Sequence, residues 1–343
     1  MKPGVLLIRA DASRAIGTGH VMRCLALAEA WQDAGGTANL AVAELPDALS
    51  PRVTAEGVSL KSFDTTPGGP EDAAATVTQA QQLRADWVAI DGDRFGSDFL
   101  ETVYAAGFRV LLIDDFANRK SFPANLIVNP NLDEDETAYR KRGATARLLM
   151  GPSYLLLRRE FRQGIEKREP RHTGNRVLIT LGGSDPENLS PKIANALALC
   201  SDLEVTVVAG AGYEKADELR KLKAGNLRVV FNPPSMVRLM KDSDQAVISA
   251  GGTLWELLSM GCAVLSYSRN TVQASVVQVL SHRGMVVDMG ETCHFDPAKL
   301  LASVEGLVEL HAARERMANL GCALVDGMGA VRIVEAMQTL GVQ

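Results

Sequence analysis

The feature that most limits what this chain can become is a beat. Short β-rich runs alternate with amphipathic helical stretches, stop at one charged interval, and start again. The first series of runs falls at 5–9, 39–43, 87–91, 109–114 and 126–129, with a helical pattern reaching from the first of them to about Ala34. Strands spaced by helices in this way predict βαβ units and a parallel, doubly wound sheet. After Tyr154 comes "RREFRQGIEKREPRHTGN", poor in apolar residues, and the beat resumes at 176–181, 205–209, 227–231, 246–249 and 263–267. The sequence therefore predicts an α/β chain of two Rossmann-like domains, 1–165 and 166–343, facing across a cleft in which a ligand can be enclosed. A length of 343 residues, 46% of them hydrophobic, is enough for two cores. From Pro297 onward the pattern is helical, and these last helices can pack back on the first domain.

Composition narrows the partners. The net charge is −5 with acids and bases interspersed. There is no basic stripe, so nucleic acid is not expected as a partner. No apolar run reaches the roughly 18 residues of a membrane span, and Met1 to Leu7 enters a strand without a signal-peptide pattern, so no membrane span and a cytoplasmic location are expected. The five cysteines, Cys24, Cys200, Cys262, Cys293 and Cys322, are unpaired in spacing and lack any CxxC. Reduced thiols, most of them small buried hydrophobes, are expected rather than a disulfide frame or a zinc site. Neither a metal nor a cofactor is predicted, and the oligomeric state is left open.

In the first half, "RADASRAIGTGHVMRCLALAEAW" carries a strand end through Gly17 and Gly19 into a helix that begins at His20. Free backbone N–H groups at such a turn face the carboxyl edge of the sheet, where ligands of α/β folds bind. An imidazole in the first helical turn meets the positive end of the helix dipole, which favours a neutral ring able to accept a proton. Capping or simple exposure is the competing reading. Gly17, Gly19 and Glu44 also sketch a dinucleotide fingerprint, but Met22 stands where the third glycine is needed, which weakens a dehydrogenase reading. Strand-end carboxylates at Asp11, Asp91, Asp93, Asp114 and Asp115 are expected along the same rim, as ligand groups or as helix caps. Asp91-Gly92-Asp93 can also be read as a metal-holding pair of the kind that takes magnesium with substrate phosphates.

In the second half, "LITLGGSDPENLS" puts Gly182, Gly183 and Ser184 at a strand end. "VISAGGTLWELLSMG" puts Gly251 and Gly252 between Ser249 and a helix starting near Thr253. Both loops offer amide donors to a diphosphate. Glu256, one turn into that helix, is placed to accept from a ribose diol or merely to offset the dipole.

The motifs "GTGHVMRCLALA", "VNPNLD", "GPSYLLLRREF", "LGGSDPENLS" and "SAGGTLWELLSMG", in this order, resemble the UDP-sugar hydrolases of pseudaminic acid biosynthesis. That family sits beside the spore-coat polysaccharide proteins and the lipid II-forming N-acetylglucosaminyl transferases of the GT-B fold. The resemblance runs to about Gly284. It implies a GT-B fold and a UDP-linked diacetamido-trideoxy sugar as substrate. It implies His20 as catalytic histidine, within Gly17, Gly19 and Arg23, and a UDP site lined by Gly182, Gly183, Ser249, Gly252, Thr253 and Glu256. Family members carry an adjacent Asn-Gln pair after the next strand, the Asn touching substrate. Here "SRNTVQASVVQVLSHRG" separates Asn270 from Gln273 by two residues, and which does the pair's work is open.

The expected chemistry is inverting, metal-independent attack of water at the anomeric carbon, with His20 as base and the second-domain loops holding the departing UDP. Asp11 is the second catalytic candidate, as orienter of the histidine or of a sugar amide, and Asp91 is placed among the substrate-binding residues. The alternative is a GT-B glycosyltransferase using the same donor.

Overall fold

The computed structural model describes residues 3–13, 15–132, 135–164, 172–210, 212–233 and 235–340. The chain divides into two compact units, Met1–Arg159 with Gly327–Gln343, and Glu160–Asp326. The expected boundary at 165/166 lies outside the described residues. Arg159 closes the first unit: its backbone N–H donates to Glu29 and its guanidinium pairs with Asp33 at 2.9 Å.

In the first unit seven parallel strands are ordered β3-β2-β1-β4-β5-β6-β7. They are β1 (Val5–Ala10), β2 (Thr37–Val42), β3 (Ser59–Ser62), β4 (Trp87–Asp91), β5 (Arg109–Ile113), β6 (Leu126–Asn129) and β7 (Arg147–Met150). The order reverses between β1 and β4, where Ala10 lies opposite Asp91. Helix α1 (Gly19–Asp33) covers one face, burying Val21, Cys24, Leu25, Ala28 and Trp31 against Leu6, Ile8 and Ala10. The opposite face buries Leu7, Val88, Ile90, Val110 and Leu112 under Phe95, Phe99 and Val103. Near-continuous apolar strands follow from a parallel sheet covered on both sides. The last helix, Gly329–Leu340, puts Ala330, Ile333, Val334 and Met337 into the α1 cluster. An amphipathic helix needs a partner for its apolar face, and this one finds it in the first unit.

The second unit holds six parallel strands ordered β10-β9-β8-β11-β12-β13. They are β8 (Arg176–Thr180), β9 (Glu204–Ala209), β10 (Leu227–Phe231), β11 (Gln245–Ser249), β12 (Ala263–Ser268) and β13 (Val286–Glu291). The reversal here lies between β8 and β11, with Thr180 opposite Ile248. Two Rossmann-like domains are thus present. The strands that the sequence beat did not reveal, β3, β7 and β13, are all edge strands. β3 has no buried residue at all, so no apolar run marks it.

One expectation is corrected. Only Cys24 and Cys262 are buried; Cys200 is partly exposed, and Cys293 and Cys322 are exposed. The stretch His311–Leu340 is long and apolar enough to cross a membrane by composition. In the fold it is two helices, His311–Leu324 and Gly329–Leu340, the second of them in the first unit's core.

Candidate functional site

The first unit's site forms at the reversal point, where β1 and β4 diverge and the ends of both strands are open to a ligand. Gly17, at φ +76°, closes a tight turn with Ser13, and Gly19 then opens α1. The turn leaves His20 and Arg23 three residues apart on one face of α1. Both reach Asp91 at the end of β4. His20 Nδ1 lies 2.8 Å from Asp91 Oδ1, while Arg23 donates from Nε to Oδ2 at 2.6 Å and from Nη2 to Oδ1 at 2.5 Å. Arg23 also forks onto Asp115, beyond β5, with both bonds at 2.8 Å. The buried Cys24 thiol adds a weak contact to Asp91 at 3.4 Å.

This clamp decides the electrostatics. Burial pushes the Asp91 carboxyl up, but the Arg23 guanidinium and His20 outweigh it and hold the group well below the usual carboxylate range. Nδ1 of His20 lies 2.8 Å from Asp91 Oδ1, which can only accept, and 3.2 Å from Arg23 Nη2, which can only donate; the shorter contact to the ionised carboxylate assigns the proton to Nδ1 and makes Nε2 the ring's acceptor. Burial lowers the imidazole pKa and the Arg23 charge opposes protonation, yet the hydrogen bond and charge of Asp91 raise it above the ordinary value. The helix dipole therefore does not decide the ring's titration, which corrects that part of the expectation. The carboxylate supplied by another strand bonds the ring directly and wins.

His20 lines a small cleft, open to solvent, together with Asp11, Ile16, Asp91, Gly92, Asp93, Arg94 and Phe95. Asp93, exposed at the rim, has its carboxyl pushed up by burial and by the nearby Asp115 charge. Asp11 does not orient the histidine, which is a second correction. Its Oδ1 is taken by Arg9 Nη1 at 2.7 Å and by the N–H groups of Ala43 at 2.7 Å and Glu44 at 3.0 Å. Asp91 holds the orienting place instead, because β4 ends directly beside α1's first turn. The same clamp answers the magnesium reading: both Asp91 oxygens already accept from Arg23, which leaves that Asp-Gly-Asp without its first ligand.

Other strand-end groups are structural. Asp114 accepts from Arg119 and, at 2.7 Å, from the Tyr139 hydroxyl. Glu44 pairs with Arg94 at 2.8 Å. Sequence reasoning placed Asp115 and Asp93 on the rim as ligand groups or helix caps, with Asp93 also read in a metal-holding pair. Ile16, Arg94 and Phe95 were missed, since nothing in their local pattern marks a pocket wall.

In the second unit, Gly182, Gly183 and Ser184 follow β8, with Gly182 at φ +84°. The loops after β8 and β9 pack closely: Gly212 N donates to Gly183 O at 3.0 Å, and a Cβ on Gly210 would lie 2.6 Å from Gly183 Cα. On the neighbouring strand, Ser249 is buried at the end of β11 and Gly251 precedes the helix Gly252–Ser259 in extended conformation. Thr253 and Glu256 lie in that helix's first turns. A Cβ on Gly182, Gly183, Gly251 or Gly252 would meet nothing within 4 Å, so these backbones border open space. The first amides of the helix have no partner within it and suit an anion.

Asn270 and Gln273, after β12, form a helix cap. Asn270 Oδ1 accepts from Gln273 N at 2.9 Å, and Gln273 Oε1 accepts from Arg269 N at 2.9 Å. The spacing that departs from the family's adjacent pair is the spacing of a capping box. Each side chain keeps its NH₂ group, as well as the second lone pair of its oxygen, for other partners.

No protein-family profile matches the chain. Among curated proteins, it is 26% identical over 294 residues to the UDP-2,4-diacetamido-2,4,6-trideoxy-β-L-altropyranose hydrolase of Campylobacter jejuni, covering 82% of this chain and 98% of that protein. It is 24% identical over 244 residues to the spore coat polysaccharide biosynthesis protein SpsG of Bacillus subtilis, covering 68% of this chain and 70% of that protein. A further relative, an uncharacterized Methanocaldococcus jannaschii protein, is 25% identical over 78% of this chain, which spans 56% of that protein's length. These are the two families that the sequence motifs resemble. Among solved structures, MurG of Acinetobacter baumannii superposes with TM-score 0.65 at 15% identity, covering 98% of this chain and 99% of that one. The spinosyn rhamnosyltransferase SpnG superposes with TM-score 0.63 at 15% identity, covering 96% and 99%. The fold is that of the GT-B glycosyltransferases.

Proposed function

We propose that this chain hydrolyses a UDP-linked diacetamido-trideoxy sugar, releasing UDP and the free sugar, as a cytoplasmic step of nonulosonic (pseudaminic-type) acid biosynthesis. The observation that carries this reading is the hydrogen bond that fixes His20 Nδ1 on Asp91, leaving Nε2 as a proton acceptor at the rim of a ligand pocket. Nε2 takes a proton from water, the oxygen bonds to the anomeric carbon, and the bond from that carbon to the UDP oxygen breaks. UDP departs as a stable anion and needs little acid help. A base that activates water opposite the leaving group inverts the anomeric configuration.

The glycine loops after β8 and β11 bind the diphosphate through backbone N–H groups, and Glu256 binds the ribose. The leaving charge is then met by amides and a helix N-terminus, in a metal-independent site. The test is incubation of the purified chain with a panel of UDP-amino sugars and no acceptor, followed by NMR. Release of UDP with inverted free sugar is the expected result. UDP release that appears only when an acceptor alcohol is added overturns it in favour of a glycosyltransferase.

A further inference from the structure

Asp11 is 3% exposed and sits on the floor of the His20 pocket. Its two carboxylate oxygens differ sharply. Oδ1 collects three donors, Arg9 Nη1 and the backbone N–H groups of Ala43 and Glu44, whereas Oδ2 is buried with no hydrogen-bond partner. Arg9 itself is fully buried, held by two bonds of 2.9 Å to Asp72 and stacked 4.8 Å from the centre of the Phe95 ring. The carboxylate is thus locked in orientation, with one unanswered acceptor oxygen, in a cleft whose apolar lining is Ile16 and Phe95. Buried polar atoms are rarely left so, and an acceptor in a ligand pocket calls for a donor on the ligand.

We propose that Asp11 determines substrate specificity: its Oδ2 accepts a hydrogen bond from the N–H of an acetamido group on the glycosyl part of the substrate. This rests on the UDP-sugar reading above. An acetamido group presents one N–H donor and one methyl group, which matches one acceptor and one apolar wall. Asp91 cannot take this part, because both its oxygens are already engaged by Arg23.

The arrangement makes a reversible test. In Asp11→Asn the three donors at Oδ1 demand the carbonyl oxygen, so the NH₂ group falls where Oδ2 was. Shape is kept and the acceptor becomes a donor. The probes are the UDP-diacetamido sugar and two analogues in which one acetamido nitrogen at a time is replaced by oxygen, giving an acetoxy group without a donor.

Wild-type protein is expected to prefer acetamido over acetoxy at one position by about 10²-fold in kcat/KM, the penalty of unpairing a buried polar group. Asp11→Asn is expected to lose about as much on the parent substrate and to reverse the preference at that same position, with the dissociation constant of UDP unchanged. A purely structural role would depress all substrates alike. The same preference in both proteins at both positions overturns the proposal. So does a wild type indifferent to the replacement, which decides the matter even if the variant fails to fold. If wild type releases UDP from none of the probes, the hydrolase reading falls. Calorimetric dissociation constants for the same three ligands then test Asp11, with reversal supporting it and a shared order refuting it.

Discussion

Replacing Asp91 by Asn tests whether the clamp on His20 does the chemical task assigned to it. Asp91 accepts from His20 at 2.8 Å and from Arg23 at 2.6 and 2.5 Å, so an amide of the same shape satisfies only part of the set. If the NH₂ group faces His20, Nδ1 must become the acceptor, the proton moves to Nε2, and the base is lost. If it faces Arg23 instead, Nε meets a donor. In both orientations the negative charge that raises the imidazole pKa is gone. Turnover is expected to fall by about 10²- to 10⁴-fold, the whole general-base contribution, equivalent to roughly 3 to 5 kcal/mol of barrier.

The pH profile gives the sign. The wild-type imidazole titrates above the ordinary 6.5 and must be unprotonated to act, so the acidic limb of kcat/KM lies on the high side of that value. In Asp91→Asn the limb moves to lower pH even as the plateau drops. The assay is UDP release against pH, with UDP affinity measured by calorimetry as the control. Removing one charge from a buried pair costs about 3 kcal/mol of stability, so rates are compared only where urea denaturation shows the variant folded. Unchanged turnover, or a limb that stays in place or moves up, refutes the role of Asp91 and with it the assignment of Nε2 as base.

Three further outcomes are expected. Gly252→Val projects a side chain into open space at a helix N-terminus, so folding should persist while UDP affinity, by calorimetry, drops at least about tenfold, the loss of one charge-assisted bond. Asn270→Ala removes the cap of the helix Thr271–His282 and should lower stability by about 1 kcal/mol in urea denaturation. An unchanged midpoint would mean the cap contributes nothing. Ile333→Ala, fully buried where the last helix meets the first unit, should cost about 2 to 5 kcal/mol. A loss below 1 kcal/mol would show that this helix is not docked in solution.

Much of the fold was legible because it is written locally. A parallel strand buried on both faces must be an apolar run, so β1, β4, β5, β8, β11 and β12 could be read directly. The glycine turns after β1 and β8 were legible for a similar reason: a positive φ at Gly17 or Gly182 leaves a local trace. The edges β3, β7 and β13 left no such trace, since an edge strand is half solvated and needs no continuous hydrophobic stretch; the edge strand β10 was legible because its run, LRVVF, is largely apolar all the same.

The candidate site divides along the same line. His20, Arg23 and the strand-end carboxylates were identifiable one by one, as residue types at turns that face a ligand edge. Their division of labour was not. Asp91 and Asp11 are both aspartates at the ends of neighbouring strands, and nothing within a few residues of either says which one meets the histidine. Strand order settles it: β4 ends beside the first turn of α1 and gives Asp91 to His20, while three donors from β1 and the segment after β2 hold one oxygen of Asp11 and leave the other without a partner. Local sequence determined which groups could act; partners brought from 68 and 71 residues away determined what each is able to do.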